Sequence, residues 1–111
     1  MAGERGAGSV LAIGIVGAVA ALAMVAIPLY AVLSTRSAVA GAADAAALAA
    51  ADARVGVVGG LPCDVAAEVA AANATVLTDC ELDGLVATVR VERVVAGLPV
   101  SAAATAGPPD D

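Results

Sequence analysis

Few side chains in this chain are equipped for catalysis or metal binding. The sequence contains no His and no Lys, so its four serines have no basic partner that would activate them as nucleophiles. Three alternating carboxylates fit either a site for a hard cation or a solvated strand end, and we favour the second interpretation: Asp79, Glu81 and Asp83. The composition therefore predicts a protein that is not an enzyme and that has no cofactor and no metal site.

The chain also has two cysteines, Cys63 and Cys80, whose thiols are reactive. Without His or a C-x-x-C motif, they lack the partners of a zinc site. A disulfide between them would close a loop of about 18 residues and would stabilise the fold by about 3 kcal/mol in the chain-entropy model. Because disulfides persist outside the cytosol, this pairing predicts an extracytoplasmic domain. Two reduced, buried thiols are the alternative.

An uncharged run from Gly6 to Thr35, flanked by Arg5 and Arg36, accounts for part of the 61% apolar content. It exceeds the roughly 20 residues that cross a hydrocarbon core of about 30 Å. Twelve residues between Val10 and Leu33 are Leu, Ile or Val, which favours insertion by about 5 kcal/mol. We predict a short cytoplasmic leader at 1–6 and a transmembrane helix at 7–35. The alternative is a buried helix of a soluble protein.

The residues in and around this run indicate how the chain is oriented in the membrane and which partners it has. The weak arginine bias and the later cysteines predict a single-pass protein of the cytoplasmic membrane, with its N-terminus inside and residues 36–106 outside or at the cell surface. The net charge of −6, without a basic stretch, predicts no nucleic-acid binding. Small residues four apart predict a seam for helix packing, although such pairs also arise by chance in an Ala-rich chain: Gly14 with Ala18, and Gly17 with Ala21.

The remainder predicts one small α+β domain. An Ala-rich helix continues from the span through 36–55, since Ala has the highest helix propensity. A Gly-rich turn at 56–62 precedes a short helix that starts at Cys63-Asp64, with Asp64 as its N-cap, and ends near Asn73. In that helix the spacing predicts a core-facing row: Val65, Val69 and Ala72.

After this helix the helical spacing gives way to an alternation of apolar and polar side chains, which predicts a small antiparallel sheet. The expected strands cover 75–82, 85–92 and 100–105, with a hairpin turn at Asp83-Gly84 and a break at 97–99. Residues 107–111 are expected to form a disordered tail. The whole chain is thus expected to be a long helix, a short helix and a sheet.

Three segments resemble a known family. The leader at 4–6 (ERG), followed directly by the apolar run, resembles the start of type IV pilin-like proteins. The stretch at 42–51 (AADAAALAAA) resembles the helix after the span in TadE/TadG-like proteins of tight-adherence (Flp) pilus systems. With the two cysteines and the closing segment at 97–100 (GLPV), the chain looks most like small actinobacterial TadE-like proteins from secretion gene clusters beside a helicase.

This resemblance implies a pilin-like fold and a minor pilin or pseudopilin that contacts other Tad proteins through its N-terminal helix. It also implies processing by a prepilin peptidase, with Gly6 and Ala7 on either side of the bond that is cut; a cut after Gly8 is the second candidate. In pilins the fifth residue after the cut is usually Glu, whereas here it is Leu11. The alternative is a small secreted protein that signal peptidase releases after Ala40, since residues 38–40 (AVA) form a small-residue cleavage pattern.

Overall fold

A computed structural model of the chain describes residues 2–109, with side chains from Gly6 onward. It contains two helices, α1 (Ala2–Arg54) and α2 (Pro62–Ala72). Three strands follow: β1 (Val76–Asp83), β2 (Val86–Val95) and β3 (Leu98–Ala106). The predicted α+β class and order of elements are confirmed. Met1, the side chains of the predicted leader up to residue 5, and the last two residues of the predicted tail lie outside the described residues.

Internal contacts divide the chain into a first unit that ends at Leu33 and a second unit that begins at Ser34. Helix α1 is continuous through the boundary, as predicted from its composition. In the second unit, α1 buries a stripe of residues at the three- and four-residue spacing of one helix face: Val39, Ala42, Ala43, Ala46, Ala47 and Ala50. The larger Leu48 and Val55 remain exposed, so the core surface of this helix is mostly Ala.

The start and the buried face of α2 differ from the sequence prediction. The helix begins at Pro62, after an N-cap Leu61 that makes no side-chain cap bond, and Asp64 lies in its first turn. The N-cap prediction for Asp64 is therefore wrong, because proline is preorganised for the first helical position, where its missing amide leaves no donor unpaired. The predicted core row is confirmed only in part: Val65 and Val69 are partly buried, Ala72 is exposed, and the fully buried residues of α2 are Ala66 and Ala70.

The C-terminus of α2 closes in a Schellman motif. The Thr75 amide donates to the Ala70 carbonyl at 3.0 Å, and the Ala74 amide donates to the Ala71 carbonyl at 3.1 Å. The Thr75 hydroxyl adds a buried hydrogen bond to the same Ala70 oxygen at 2.8 Å. Ala74 holds the left-handed position with φ of 58°, where Gly is the usual residue.

We expect Ala74→Gly to stabilise the domain by about 1 kcal/mol, because Gly removes the steric cost of a Cβ in the left-handed region. Ala67→Gly provides the matched control. It makes the same change at an exposed position inside α2, where it should destabilise by about 0.5–1 kcal/mol. Urea unfolding followed by circular dichroism measures both free energies. Equal shifts of the same sign would contradict this assignment of strain to Ala74.

The three strands form one antiparallel sheet in the order β1-β2-β3. The two-residue loop Gly84-Leu85 joins β1 to β2, and the loop Ala96-Gly97 joins β2 to β3. Both residues of the second loop have positive φ, 52° and 80°, as a type I′ hairpin turn requires. The predicted break at 97–99 is therefore too long: Pro99 already belongs to β3, an edge strand, where its missing amide is tolerated.

The inner face of the sheet covers the Ala face of α1 and α2. The alternation predicted for β2 is confirmed, since Ala87, Val89 and Val91 are buried. In β1 the pairing register shifts between Leu77 and Asp79, which is a β-bulge at the residue between them. The bulge changes the parity of the strand, so the partly buried residues are Leu77, Cys80 and Leu82.

This core has small side chains, and Ala46, which is 0% exposed, lies within it. We expect Ala46→Leu to destabilise the domain by about 2 kcal/mol, because the added carbons overpack the space between α1 and the sheet. For a domain of this size the melting temperature should fall by about 10 °C in a circular dichroism melt. The same substitution at the exposed Ala40 is the control and should shift it little. An unchanged Ala46→Leu melt would contradict the packing.

Candidate functional site

The most unusual feature of the first unit is that the apolar side chains of α1 are exposed. Its large side chains are exposed, for example Leu22 at 70% and Met24 at 78%. This helix is long and apolar enough to cross a membrane, and it is the single such helix within the described residues. Its most apolar window is 0% buried, whereas the core helix of a soluble protein would be mostly buried. Burying such a surface in lipid is favourable, because water is then excluded from it.

The predicted packing seam lies on this exposed helix. Gly14, Gly17, Ala18 and Ala21 are all exposed, at a spacing that places them along one face. A Cβ added at Gly14 or Gly17 would meet no other atom within 4 Å. The seam is therefore open to a second helix, and its use as an interface remains a prediction.

The predicted processing bond between Gly6 and Ala7 lies within α1, and both residues are exposed. The residue at the position where pilins carry Glu, Leu11, is 65% exposed. An apolar side chain there has no charge with which to pair an amino terminus.

The chemistry of the second unit is concentrated in the disulfide between Cys63 and Cys80, which confirms the predicted pairing. Their Cα atoms are 5.9 Å apart, so the bridge ties the first turn of α2 to the middle of β1. The fold brings the two cysteines together because Pro62 starts α2 directly before one of them, while the β1 bulge turns the other towards the inner face. Both side chains are half-buried.

The three carboxylates of β1, by contrast, are all exposed: Asp79, Glu81 and Asp83. Within the described residues, no group of three or more Asp, Glu, His or Cys side chains is placed to hold a metal ion. Asp79 is paired across the sheet with Arg90, an arrangement of opposite charges that favours the antiparallel register. These carboxylates contribute to the polar outer face of the sheet.

Two arginines connect separate elements, which sequence reasoning did not identify. The Arg93 guanidinium, on β2, donates to the carbonyls of Asn73 (2.8 Å) and Ala74 (2.9 Å) at the end of α2. A cation there also complements the negative end of the helix dipole. Arg54, in the last turn of α1, donates from Nε to the Gly84 carbonyl of the first hairpin at 2.9 Å. The sequence could have indicated a role for Arg54, because this residue lies in the last turn of a predicted helix. No local feature of the sequence indicates a role for Arg93, because its partners lie about 20 residues away.

Comparison with models of known families, with curated protein sequences and with solved structures finds no match to this chain. Two features of the chain itself bear on its function: an exposed apolar helix in the first unit and a small disulfide-bonded domain in the second.

Proposed function

We propose that this chain is a non-enzymatic structural or assembly component, similar to a minor pilin or pseudopilin, of a Tad-type pilus or secretion system in the cell envelope. In this proposal α1 crosses the cytoplasmic membrane once, with the N-terminus inside and the domain from residue 36 outside. Its partners are the membrane, other Tad proteins that pack against the N-terminal helix, and a prepilin peptidase.

The observation that carries the proposal is the exposed apolar side of α1, which has no cover within the described residues. The length and composition of the helix support a membrane span. The continuation of the same helix into an α+β domain agrees with the order of elements expected from the pilin resemblance. The Cys63–Cys80 disulfide supports an extracytoplasmic place for that domain, because the cytosol keeps thiols reduced.

The alternative is a secreted protein that signal peptidase releases after Ala40, because an apolar helix near the N-terminus is also a feature of signal sequences. The position of Val39 counts against it. This residue is 0% exposed and is among the largest fully buried side chains of the core. Cleavage after Ala40 would separate Val39 from the domain and would leave a cavity, which costs stability in a core of small residues.

We expect the mature protein to begin at Ala7, which intact-mass and N-terminal peptide mass spectrometry measures on protein purified from its own membrane. A start at Met1 or Ala2 would indicate an uncleaved anchor and would contradict the peptidase step alone. A start at Gly41 would contradict the membrane component and support the secreted alternative. A Gly6→Leu variant is the control, because a larger residue at the cut should leave the leader in place.

A further inference from the structure

The hairpin that joins β2 to β3 ends in an exposed apolar tip, residues 94–99. Its Val94 and Leu98 side chains are 63% and 69% exposed, and Val95 is 39% exposed. Burial on β2 ends before the tip, at Val91, which is 0% exposed, so the tip projects beyond the core. The sequence has no charged residue within the tip. A projecting apolar patch of this kind indicates contact with something other than water.

The apolar tip lies at the end of the second unit where its chain begins. At the opposite end, Arg54 donates to the Gly84 carbonyl, which places the first hairpin at the C-terminus of α1. From there β2 runs back along α1, because its buried residues share one core with the α1 stripe at 39–50. The ten residues of β2 span about 33 Å and α1 from Ser34 to Arg54 about 30 Å, so the second hairpin comes close to the level of Ser34.

We propose that the apolar tip inserts into the outer surface of the lipid bilayer that α1 crosses. This inference rests on the membrane span of the proposed function. The uncharged run ends just before Arg36, within the first residues of the second unit. The surface of a bilayer crossed by that run therefore lies at the same end of the unit as the tip. Because the same chain enters the bilayer, the tip is held at a high local concentration near its surface.

The shape of the apolar tip favours lipid over a protein partner. Val94 lies on the outer face of the sheet, whereas Val95 and Leu98, which pair with each other, lie on its inner side. A protein that docked on the sheet would cover one face, but lipid surrounds a projecting hairpin on both. The two-residue turn keeps the strands paired up to their ends, so few backbone groups lose a hydrogen bond when water is excluded.

Charge determines which hairpin approaches lipid and how deeply. Glu92 and Arg93 directly precede the tip and are half-buried, so the apolar part covers about three residues of each strand, or about 10 Å. Apolar faces of interfacial segments reach about 5–10 Å into a bilayer, which this length matches. The first hairpin, in contrast, has the exposed Asp83 beside its turn and the exposed Asp52 next to its Leu85. Anionic lipid would repel these carboxylates.

Quenching of a fluorescent label by spin-labelled lipid tests the contact. The full chain is reconstituted in vesicles of phosphatidylcholine and phosphatidylglycerol, in which part of the lipid carries a doxyl group near the headgroup. The disulfide occupies both native cysteines, so a single new cysteine takes the nitrobenzoxadiazole label. Leu98→Cys places the label on the tip, and Leu85→Cys on the first hairpin is the matched control. We expect at least threefold stronger quenching at Leu98→Cys than at Leu85→Cys.

A label in the predicted span separates failure of this inference from failure of the proposed function. Leu22→Cys, measured with the doxyl group deeper on the acyl chain, reports on the span itself. Quenching at Leu22→Cys, with equal quenching at Leu98→Cys and Leu85→Cys, would overturn the tip contact and leave the span in place. An unquenched label at Leu22→Cys would overturn both.

A charge added to the tip tests whether its apolar character is required. Val94→Glu, combined with Leu98→Cys, should lower the quenching at least threefold, because a carboxylate resists transfer into lipid. Ala103→Glu adds the same charge to β3 outside the tip, at an exposed position opposite Arg90, and should leave the quenching unchanged. A decrease caused by both charges, or by neither, would overturn the proposal.

Discussion

Leu22→Arg is expected to remove the chain from the membrane. The change replaces a side chain that favours insertion with one that costs about 2.5–3.5 kcal/mol near the centre of a span, a difference of about 3–4 kcal/mol. The uncharged run gains only about 5 kcal/mol on the same scale, before the costs of its glycines and Pro28. The membrane fraction that resists carbonate extraction should therefore fall severalfold.

Helix α1 provides a matched control for this experiment. Leu48→Arg is the same substitution in the same helix, at a side chain that is 58% exposed and lies beyond the predicted span. It should leave membrane association unchanged. If Leu22→Arg remained in the membrane fraction as the unsubstituted chain does, or if Leu48→Arg left it to the same extent, the span assignment would be wrong.

Removal of the disulfide is the second large effect. The double variant Cys63→Ala and Cys80→Ala should lose about 3 kcal/mol, the loop-closure value for a bridge of this length. The core offers little to offset that loss, because its largest fully buried side chains are Val39, Val89 and Val91. A domain of this size with so small a core commonly depends on such a bridge.

The measurement must report on the sheet itself. Tyr30 is the only aromatic residue, and it lies in the predicted span, so intrinsic fluorescence does not follow unfolding of the domain. Amide hydrogen exchange of the buried β2 residues Val89 and Val91 gives the free energy of opening directly. Reduction of the unsubstituted chain should reproduce the double variant. A loss below about 1 kcal/mol in both would show that packing, rather than the bridge, holds the domain.

Much of the candidate site was readable from the sequence because it depends on composition. The apolar run and the absence of His and Lys are properties of the chain that no packing can change. The pairing of Cys63 with Cys80 was also predictable, since the chain has no other cysteine. A partner for the predicted seam from Gly14 to Ala21 could not be read from the sequence, because a helix that packed there would belong to another molecule.

The core was predicted less well, for a reason that α2 illustrates. Periodicity favoured Val65 and Val69 as the buried row, yet Ala66 and Ala70 lie deepest. A row of small residues allows a helix to approach its neighbours closely, so that the larger valines flank the contact. Hydrophobicity patterns rank residues by size and apolarity, and they therefore underestimate Ala where close approach determines burial.

The sequence by itself determined the continuous helix, the alternation in β2 and, to within one or two residues, the places of the two hairpin turns, because each depends on residues that are neighbours in the chain. Only the tertiary structure decided the bulge in β1, the left-handed Ala74 and the Arg93 contacts with the end of α2. These features arise where segments distant in sequence must fit together. There the inward placement of Cys80 and the closure of α2 outweigh the local preferences of single residues.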